Sequence, residues 1–281
     1  MVPRTVLRGD PGEEKRYGRL HFSPLTPSLL LKVVLTPALI ATATLVGRRW
    51  GETMSGWLVG LPLTSAPVVF FLALDQGTTF ATTASLGVLL GTISQAAFAV
   101  AYAWVAGRAG WFPAVAAGSI TFALATVGFQ QVRLSALPAY GAVVASLVIG
   151  LLFIRRRDSP AATGAVAPDW DLPVRIVLAT GLVVVLTGIA PRIGAHLSGL
   201  LSPFPVYAGV LAIFAHRQGG GAAATKVLRG LLLGLFAFAS FFLVLALGLD
   251  RFGIGASFAL ATLIALLVQA STLRVVRAPE G

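Results

Sequence analysis

Long apolar segments alternate with short polar or glycine-containing connections along almost the whole chain. A helix needs about 20 predominantly apolar residues to cross a hydrocarbon layer of about 30 Å. Nine segments meet that requirement, at roughly residues 28–47, 54–74, 79–105, 111–129, 134–154, 172–190, 196–215, 224–249 and 253–273. All five tryptophans fall at or near segment ends, as an aromatic belt at a membrane interface predicts. The pattern predicts an all-α fold, a polytopic integral membrane protein with about nine transmembrane helices.

The chain also contains an internal repeat: residues 32–110 recur without a gap at residues 175–253. The offset is constant: 199 minus 56 and 251 minus 108 both give 143. The identical pairs include polar, proline and glycine positions: Arg49/Arg192, Gly51/Gly194, Ser55/Ser198, Gly56/Gly199, Pro62/Pro205, Gly87/Gly230 and Gly91/Gly234. Five apolar segments separate the two starts, and an odd number of crossings turns the second copy upside down. We therefore predict two inverted repeats; a chance match between Leu/Ala/Gly-rich stretches is the alternative.

The repeat divides the chain into the following predicted parts. A polar flexible tail covers residues 1–27, and repeat 1, with four helices, covers residues 28–133. Residues 134–154 form the extra helix that inverts the second copy, and residues 155–171 form a linker. Repeat 2, with four helices, covers residues 172–274, and a short tail covers residues 275–281.

The second helix of each copy carries a proline near its middle, at the equivalent positions Pro62 and Pro205. A proline inside a helix removes a backbone donor and clashes with the preceding turn. Within lipid, the freed carbonyls need other partners or a water-filled cavity. Broken helices at corresponding positions of two halves indicate a transporter binding site. We place the candidate substrate site at both breaks, with these residues: Pro62, Thr64, Ser65, Ser202, Pro205 and Tyr207. The alternative is a pair of kinks that serve helix packing.

Small residues recur four positions apart in the third helix of repeat 1 and in its counterpart in repeat 2. These are the pairs Gly87 with Gly91 and Gly230 with Gly234. Such spacing lets two helix backbones approach closely. We assign these four glycines to helix packing, across the axis that relates the two copies.

One pair of cations also recurs, since Lys32 and Arg175 occupy equivalent positions near the starts of the first and sixth helices. Their long side chains can reach the membrane interface, which is the simpler interpretation. The alternative is a symmetric charge-selecting pair that attracts an anionic substrate.

Composition supports membrane insertion and sets an orientation. The chain is 57% hydrophobic and 11% charged, with a mean hydropathy of +0.88 and a formal net charge of +11. Basic residues lie mostly between apolar segments, which is typical of membrane topology and anionic headgroups rather than of nucleic-acid binding. If the amino terminus lies outside, the inside loops carry Arg48, Arg49, Arg108, Arg155, Arg156, Arg157, Arg175, Arg217, Lys226, Arg229, Arg274 and Arg277, against Arg133, Arg192 and Arg251 outside. We expect a multi-pass protein of the cytoplasmic membrane with a cytoplasmic carboxyl terminus.

Several function classes lack the residues they need. All ten acidic residues lie in tails, loops or helix ends, so no carboxylate lies mid-membrane to bind a proton or a cationic drug. Paired carboxylates for metal binding or acid–base catalysis are missing, and there is no P-loop. The chain has no cysteine, and its three histidines share no ligand spacing. We predict no catalytic residue, no metal site and no cofactor, and expect that the chain is not an enzyme.

The short motif at the breaks is similar to that of a known family. Ser-Gly, a Leu-Pro or Phe-Pro break and an aliphatic run ending in Asp-Gln-Gly or His-Arg-Gln-Gly resemble the small GlpM-type bacterial membrane proteins. The organisation also resembles the drug/metabolite transporter group, in which inverted repeats usually contain five helices each. This resemblance implies a helical membrane protein and identifies no functional residue.

The function expected from the sequence is that of a secondary transporter or permease that moves a small solute by alternating access around the broken helices. The rival is a non-transporting membrane subunit with an assembly, anchoring or regulatory role. The expected partners are the lipid bilayer and an unidentified small solute, without nucleic acid. A homodimer is compatible with the sequence.

Overall fold

The computed structural model describes residues 57–154 and 171–277, together with Val34, Pro37 and Ala38. In the second range, the side chains of Asp171, Leu172, Arg175, Ala179 and residues 273–277 lie outside the description. A short helical turn at residues 57–59 precedes α1 (Ser65–Gln76), α2 (Thr78–Ala106), α3 (Trp111–Phe129), α4 (Ala136–Phe153), α5 (Asp171–Ile193) and α6 (Ala195–Leu201). A last helical stretch, Val206–Arg277, is divided by non-helical backbone at Gly220 and Gly253 into α7 (206–219), α8 (221–252) and α9 (254–277). The described residues contain no strand.

Five stretches of the described chain are long and apolar enough to cross a membrane: Thr78–Ala106, Trp111–Phe129, Ala136–Phe153, Ile176–Ile193 and Ala195–Thr272, the last of which contains α6 to α9. Their outward faces carry large apolar side chains; Leu152 and Phe153, for example, are 72% and 74% exposed. Water would solvate such a surface poorly, whereas lipid solvates it well. The all-helical fold is therefore compatible with a membrane-embedded protein.

Single glycines make several of the turns between helices. Gly77 joins α1 to α2 with a φ of 90°, and Gly220 joins α7 to α8 with a φ of 72°. Side chains are strained at these positive values, so glycine is the residue that fits. The polar and glycine-rich run at residues 216–223, which hydropathy predicts to be a connection, is helical except at Gly220. Gly77 and Gly220 are also separated by the repeat offset, 143 residues.

The centre of the bundle is formed by α2 and α8, whose side chains are mostly buried. At one end of the pair, the Thr79 hydroxyl donates to the Asp250 carboxylate over 3.3 Å. At the other end, the backbone of Gly221 lies against the carbonyl of Ala106. The start of each helix therefore lies beside the end of the other, and α2 and α8 are antiparallel.

Helix α4, the predicted extra crossing, lies along α8 in the opposite direction. Tyr140 Oη and Ser240 Oγ are 3.0 Å apart near one end of the contact. Towards the other end, Arg229 of α8 donates to the carbonyls of Leu151 and Ile154, over 3.1 and 2.8 Å. A cation at the carboxyl end of a helix satisfies carbonyls that have no partner within the helix. Arg229 thereby joins the end of α4 to the second half of the chain.

Two helices extend beyond the bounds expected for them. The last helix extends to Arg277, into the expected carboxyl-terminal tail, and α5 begins at Asp171, the last residue of the expected linker. The expected first helix, residues 28–47, lies outside the described residues apart from Val34, Pro37 and Ala38.

Candidate functional site

Both proline-containing segments leave the helical conformation. Residues 60–64 are non-helical between the turn at 57–59 and α1, and residues 202–205 are non-helical between α6 and α7. Proline has no backbone N–H, so Pro62 and Pro205 cannot donate to the carbonyl one turn before them. The helical conformation is therefore interrupted at the proline in both segments.

The second break places a freed carbonyl against the first break. In a continuous helix the Ser202 carbonyl would accept from the N–H of Val206, but that N–H donates to Phe204 over 2.8 Å. The Ser65 hydroxyl donates to the Ser202 carbonyl instead, over 3.0 Å and fully buried. One hydrogen bond thus joins the two breaks directly.

The first break shows the same behaviour with a partner from the end of the chain. The Leu61 N–H donates to Leu58 over 3.1 Å rather than to Trp57, as a continuous helix would require. The Trp57 carbonyl accepts from the N–H of Gly60 over 3.2 Å and also from Gln269 Nε2 of α9 over 2.9 Å. Trp57 Nε1 also donates to Thr272 Oγ1 over 2.8 Å. At each break, a side chain from the opposite half of the chain donates to a backbone carbonyl.

Glycines hold each break against a helix of the other half. A β-carbon on Gly91 of α2 would lie 2.6 Å from the Leu200 carbonyl oxygen and 2.6 Å from Pro203 Cγ, at the second break. A β-carbon on Gly234 of α8 would lie 2.8 Å from the Cα of Gly60, at the first break. These contacts are too short for any residue other than glycine without a shift of backbone.

The two glycine contacts correspond to each other through the repeat offset. Gly91 and Gly234 are separated by 143 residues, and so are Gly60 and Pro203. Gly91 contacts Pro203, while Gly234 contacts Gly60. Replacing both residues of one contact by their repeat equivalents gives the other contact. This is the pattern expected of a two-fold interface.

The structure describes the predicted substrate-site residues but not the predicted charge-selecting side chains. Pro62, Ser65, Ser202, Pro205 and Tyr207 are buried, and Thr64 is half-buried. Tyr207 packs against Val59 and Ile176. Lys32 lies outside the described residues, as does the side chain of Arg175, so the structure does not place the predicted charge-selecting pair.

The predicted packing glycines are placed as follows. Gly87, Gly91 and Gly234 lie against backbone of the other half; a β-carbon on Gly87, for example, would lie 3.0 Å from the Leu200 nitrogen of α6. Gly230 is buried.

Several buried polar atoms without a partner in the described part of the chain belong to the second break or to helices that pack against it. Ser202 Oγ is one of them, and Ser94 Oγ, Gln95 Oε1 and Thr126 Oγ1 are others. Ser94 and Gln95 follow Gly91, the glycine in contact with Pro203, by about one helical turn. Thr126 lies one turn beyond Phe122, whose ring meets that of Phe204 edge-on at 5.2 Å. An unpaired buried polar atom costs about 1–3 kcal/mol, so this region is more polar than packing alone requires.

The chemistry available at the breaks is neutral. Residues 57–65 and 198–209 contain hydroxyls, one indole and backbone groups, but no charged side chain. Such groups exchange hydrogen bonds with an uncharged polar molecule or with water; they do not supply a catalytic acid, base or nucleophile pair. No group of histidine and acidic side chains suitable for a metal ion occurs among the described residues.

Comparison of the chain with known protein families, curated proteins and solved structures found no match. What the chain does is therefore inferred from the geometry of the breaks.

Proposed function

We propose that this chain is an integral membrane protein built from two inverted repeats that moves a small polar solute by alternating access around the paired helix breaks. The observation that carries the proposal is the contact between the breaks, in which Ser65 of one donates to the Ser202 carbonyl of the other. Broken helices that meet at a repeat interface are where secondary transporters bind their substrates.

Two observations support the inverted arrangement: the directions of the equivalent helices and the contacts between equivalent residues. α2 and α8 occupy equivalent positions in the two copies and run antiparallel, with Thr79 beside Asp250. The exchanged contacts of Gly91 with Pro203 and of Gly234 with Gly60 are those expected if a two-fold axis relates the copies. Antiparallel equivalent helices require that axis to lie across the helices, in the plane of a membrane.

The breaks also suit a change between two states. At each break a carbonyl accepts from a side chain of the other half: Ser65 donates to Ser202, and Gln269 donates to Trp57, whose carbonyl also accepts from the N–H of Gly60. A side-chain hydrogen bond contributes only about 1 kcal/mol net, so water or a solute hydroxyl can replace it at low cost. With both bonds formed and the site buried, the structure corresponds to a closed state of such a transporter.

A second candidate function rests on the same closure. A non-transporting membrane subunit also needs its freed carbonyls satisfied, and Ser65 and Gln269 achieve this without any solute. The two candidates differ in whether the centre ever opens to water.

Labelling at Arg108 and Arg251 tests the inverted arrangement. These exposed residues are equivalent, being 143 residues apart, and the chain contains no cysteine. We expect a membrane-impermeant thiol reagent to modify Arg108→Cys and Arg251→Cys from opposite sides of a vesicle. Arg192→Cys is the control, because it lies at the same end of the bundle as Arg251 and reacts from the same side. Modification of Arg108→Cys and Arg251→Cys from one side contradicts the inverted arrangement.

Water access to Ser202 tests transport without knowledge of the substrate. Ser202 is fully buried and its hydroxyl has no partner within the described chain, so a cysteine replaces it with little loss. For a transporter, we expect Ser202→Cys to react slowly with an aqueous thiol reagent from each side of a proteoliposome. Ser257→Cys is a matched control, equally buried and also unpartnered within the described chain, but located in α9. Equal protection of both cysteines from both sides favours the non-transporting subunit.

A further inference from the structure

A pocket away from the breaks lies at the end of the bundle where α2 begins. Its volume is about 270 Å³, and its walls come from four separate parts of the chain. They are α2, the connection after α3, the end of α5, and α6, which contribute Thr83, Gln130, Arg133, Ile193, Gly194, Ala195, His196 and Leu197. Pockets for drug-sized molecules usually measure about 300–1,000 Å³, so this one suits a small ligand or a single headgroup.

The polar side chains of the pocket include one cation, Arg133. Arg133 uses one nitrogen to donate to the Gln130 carbonyl over 3.0 Å, which holds the side chain in place and leaves the rest of its planar fork for a ligand. His196 is buried, and its Nε2 donates to the Phe129 carbonyl over 3.3 Å, which orients the ring. The Gln130 side chain adds an amide.

No acidic residue is among the eight that line the pocket. Asp250 lies at this end of the bundle, but its carboxylate accepts from Thr79, one turn before Thr83. The Arg133 charge therefore faces a pocket without a carboxylate of its own. A guanidinium binds phosphate oxygens through two parallel hydrogen bonds.

The other copy differs at the corresponding positions. The offset of 143 residues pairs Ala195 with Glu52 and Thr83 with Lys226. The equivalent pair therefore consists of an acid from repeat 1, Glu52, and a base from repeat 2, Lys226, whereas the pocket has threonine from repeat 1 and alanine from repeat 2. Glu52 lies outside the described residues, so this comparison is one of sequence. Position 195 is therefore a suitable place to introduce a carboxylate by mutation.

We propose that this pocket binds a phosphate group, with Arg133 as the principal donor and the Gln130 amide beside it. The pocket lies at the end of the helices, where both a dissolved phosphate and the headgroup of an anionic lipid have access. Binding there does not depend on transport through the breaks, so the two proposals succeed or fail separately.

The test measures the thermal unfolding of the purified full chain in uncharged detergent. Inorganic phosphate, compared with chloride at equal ionic strength, is expected to raise the unfolding midpoint. In Arg133→Ala the apparent affinity falls by about tenfold or more, as the loss of a charge-assisted pair predicts. Arg251→Ala removes an exposed arginine outside the pocket and keeps the wild-type response.

Position 195 provides the sharper comparison. Ala195→Glu places a carboxylate beside Arg133 and is expected to abolish the phosphate response. Ala195→Gln, of the same size but uncharged, retains it. A loss in both variants means that bulk rather than charge blocks the pocket, and it contradicts the charge-based site. Circular dichroism and size-exclusion chromatography verify that each variant folds.

A second measurement separates a dissolved anion from a lipid. The same variants are placed in nanodiscs of phosphatidylcholine with or without phosphatidylglycerol, and retained phosphatidylglycerol is counted by native mass spectrometry. Retention that depends on Arg133 and not on Arg251 assigns the site to a lipid headgroup, while a response to inorganic phosphate alone assigns it to a dissolved ion. If neither ligand distinguishes Arg133→Ala from Arg251→Ala, the proposal is wrong.

Discussion

Valine at Gly91 or at Gly234 is expected to prevent stable folding. Even a β-carbon on Gly91 would lie 2.6 Å from the Leu200 carbonyl oxygen, and one on Gly234 would lie 2.8 Å from the Cα of Gly60. Overpacking typically costs about 1–3 kcal/mol when side chains can move aside. Here the opposing atoms are mostly backbone, so we expect a loss of at least about 3 kcal/mol for each variant. The folded yield after size-exclusion chromatography and the unfolding midpoint in detergent measure the effect.

The matched control is Gly141→Val. Gly141 lies in α4 and is exposed, and a β-carbon at this position would meet no atom of another helix within 4 Å. It has the same helix-propensity change as the other two glycines but no opposing backbone. We expect its yield to stay close to that of the wild type. If Gly91→Val and Gly234→Val unfold no more readily than Gly141→Val, the two halves do not meet as described.

Replacing Pro62 and Pro205 together with alanine is expected to close the centre to water. Alanine restores a backbone N–H at each position, and a mid-helix proline is about 3 kcal/mol less favourable than alanine in a helix. Each interrupted segment therefore gains a strong tendency to become a continuous helix, which withdraws the Ser202 carbonyl from Ser65 and the Trp57 carbonyl from Gln269. For a transporter, we expect labelling of Ser202→Cys to fall by about tenfold or more in this background, with the protein still folded.

Prolines elsewhere provide the control for this experiment. Pro113 and Pro138 lie in the first turns of α3 and α4, where a missing N–H costs the helix little. The double variant Pro113→Ala with Pro138→Ala should label Ser202→Cys as the wild type does. A Pro62→Ala and Pro205→Ala variant that is less stable but labels normally would mean that the breaks are kinks for packing.

The positions of most helices follow from hydropathy. The segment expected at residues 111–129 is α3 with the same bounds, and that expected at 79–105 is α2 at Thr78–Ala106. These predictions are confirmed because an apolar run long enough to cross lipid must satisfy its backbone internally, and a helix does so without any other part of the chain.

Hydropathy predicted the turns between helices less well. Residues 216–223 are polar and rich in glycine, yet only Gly220 leaves the helix. Hydropathy measures where lipid ends, whereas a turn requires one residue that tolerates positive φ. The occurrence of Gly77 and Gly220 at equivalent repeat positions is the sequence signal that could have located both turns.

The pocket at Arg133 and His196 was not predicted from the sequence. Its walls come from residues 83, 130–133 and 193–197, which share no motif and become neighbours only when α6 packs against α2. The sequence also did not predict the side-chain donors at the breaks, because Ser65 and Ser202 are 137 residues apart and Gln269 and Trp57 are 212 residues apart.

Local residue chemistry was enough to predict the helical class, the apolar surface and the two proline breaks, because these follow from hydrophobic length, lipid solvation and a missing N–H. The repeat was equally accessible, since it is a property of the residue order. Three other features emerged only from the packed bundle: the atoms that satisfy the breaks, the antiparallel directions of α2 and α8, and the open pocket beside Arg133. They depend on contacts between residues far apart in the chain, and such contacts arise only when whole helices pack.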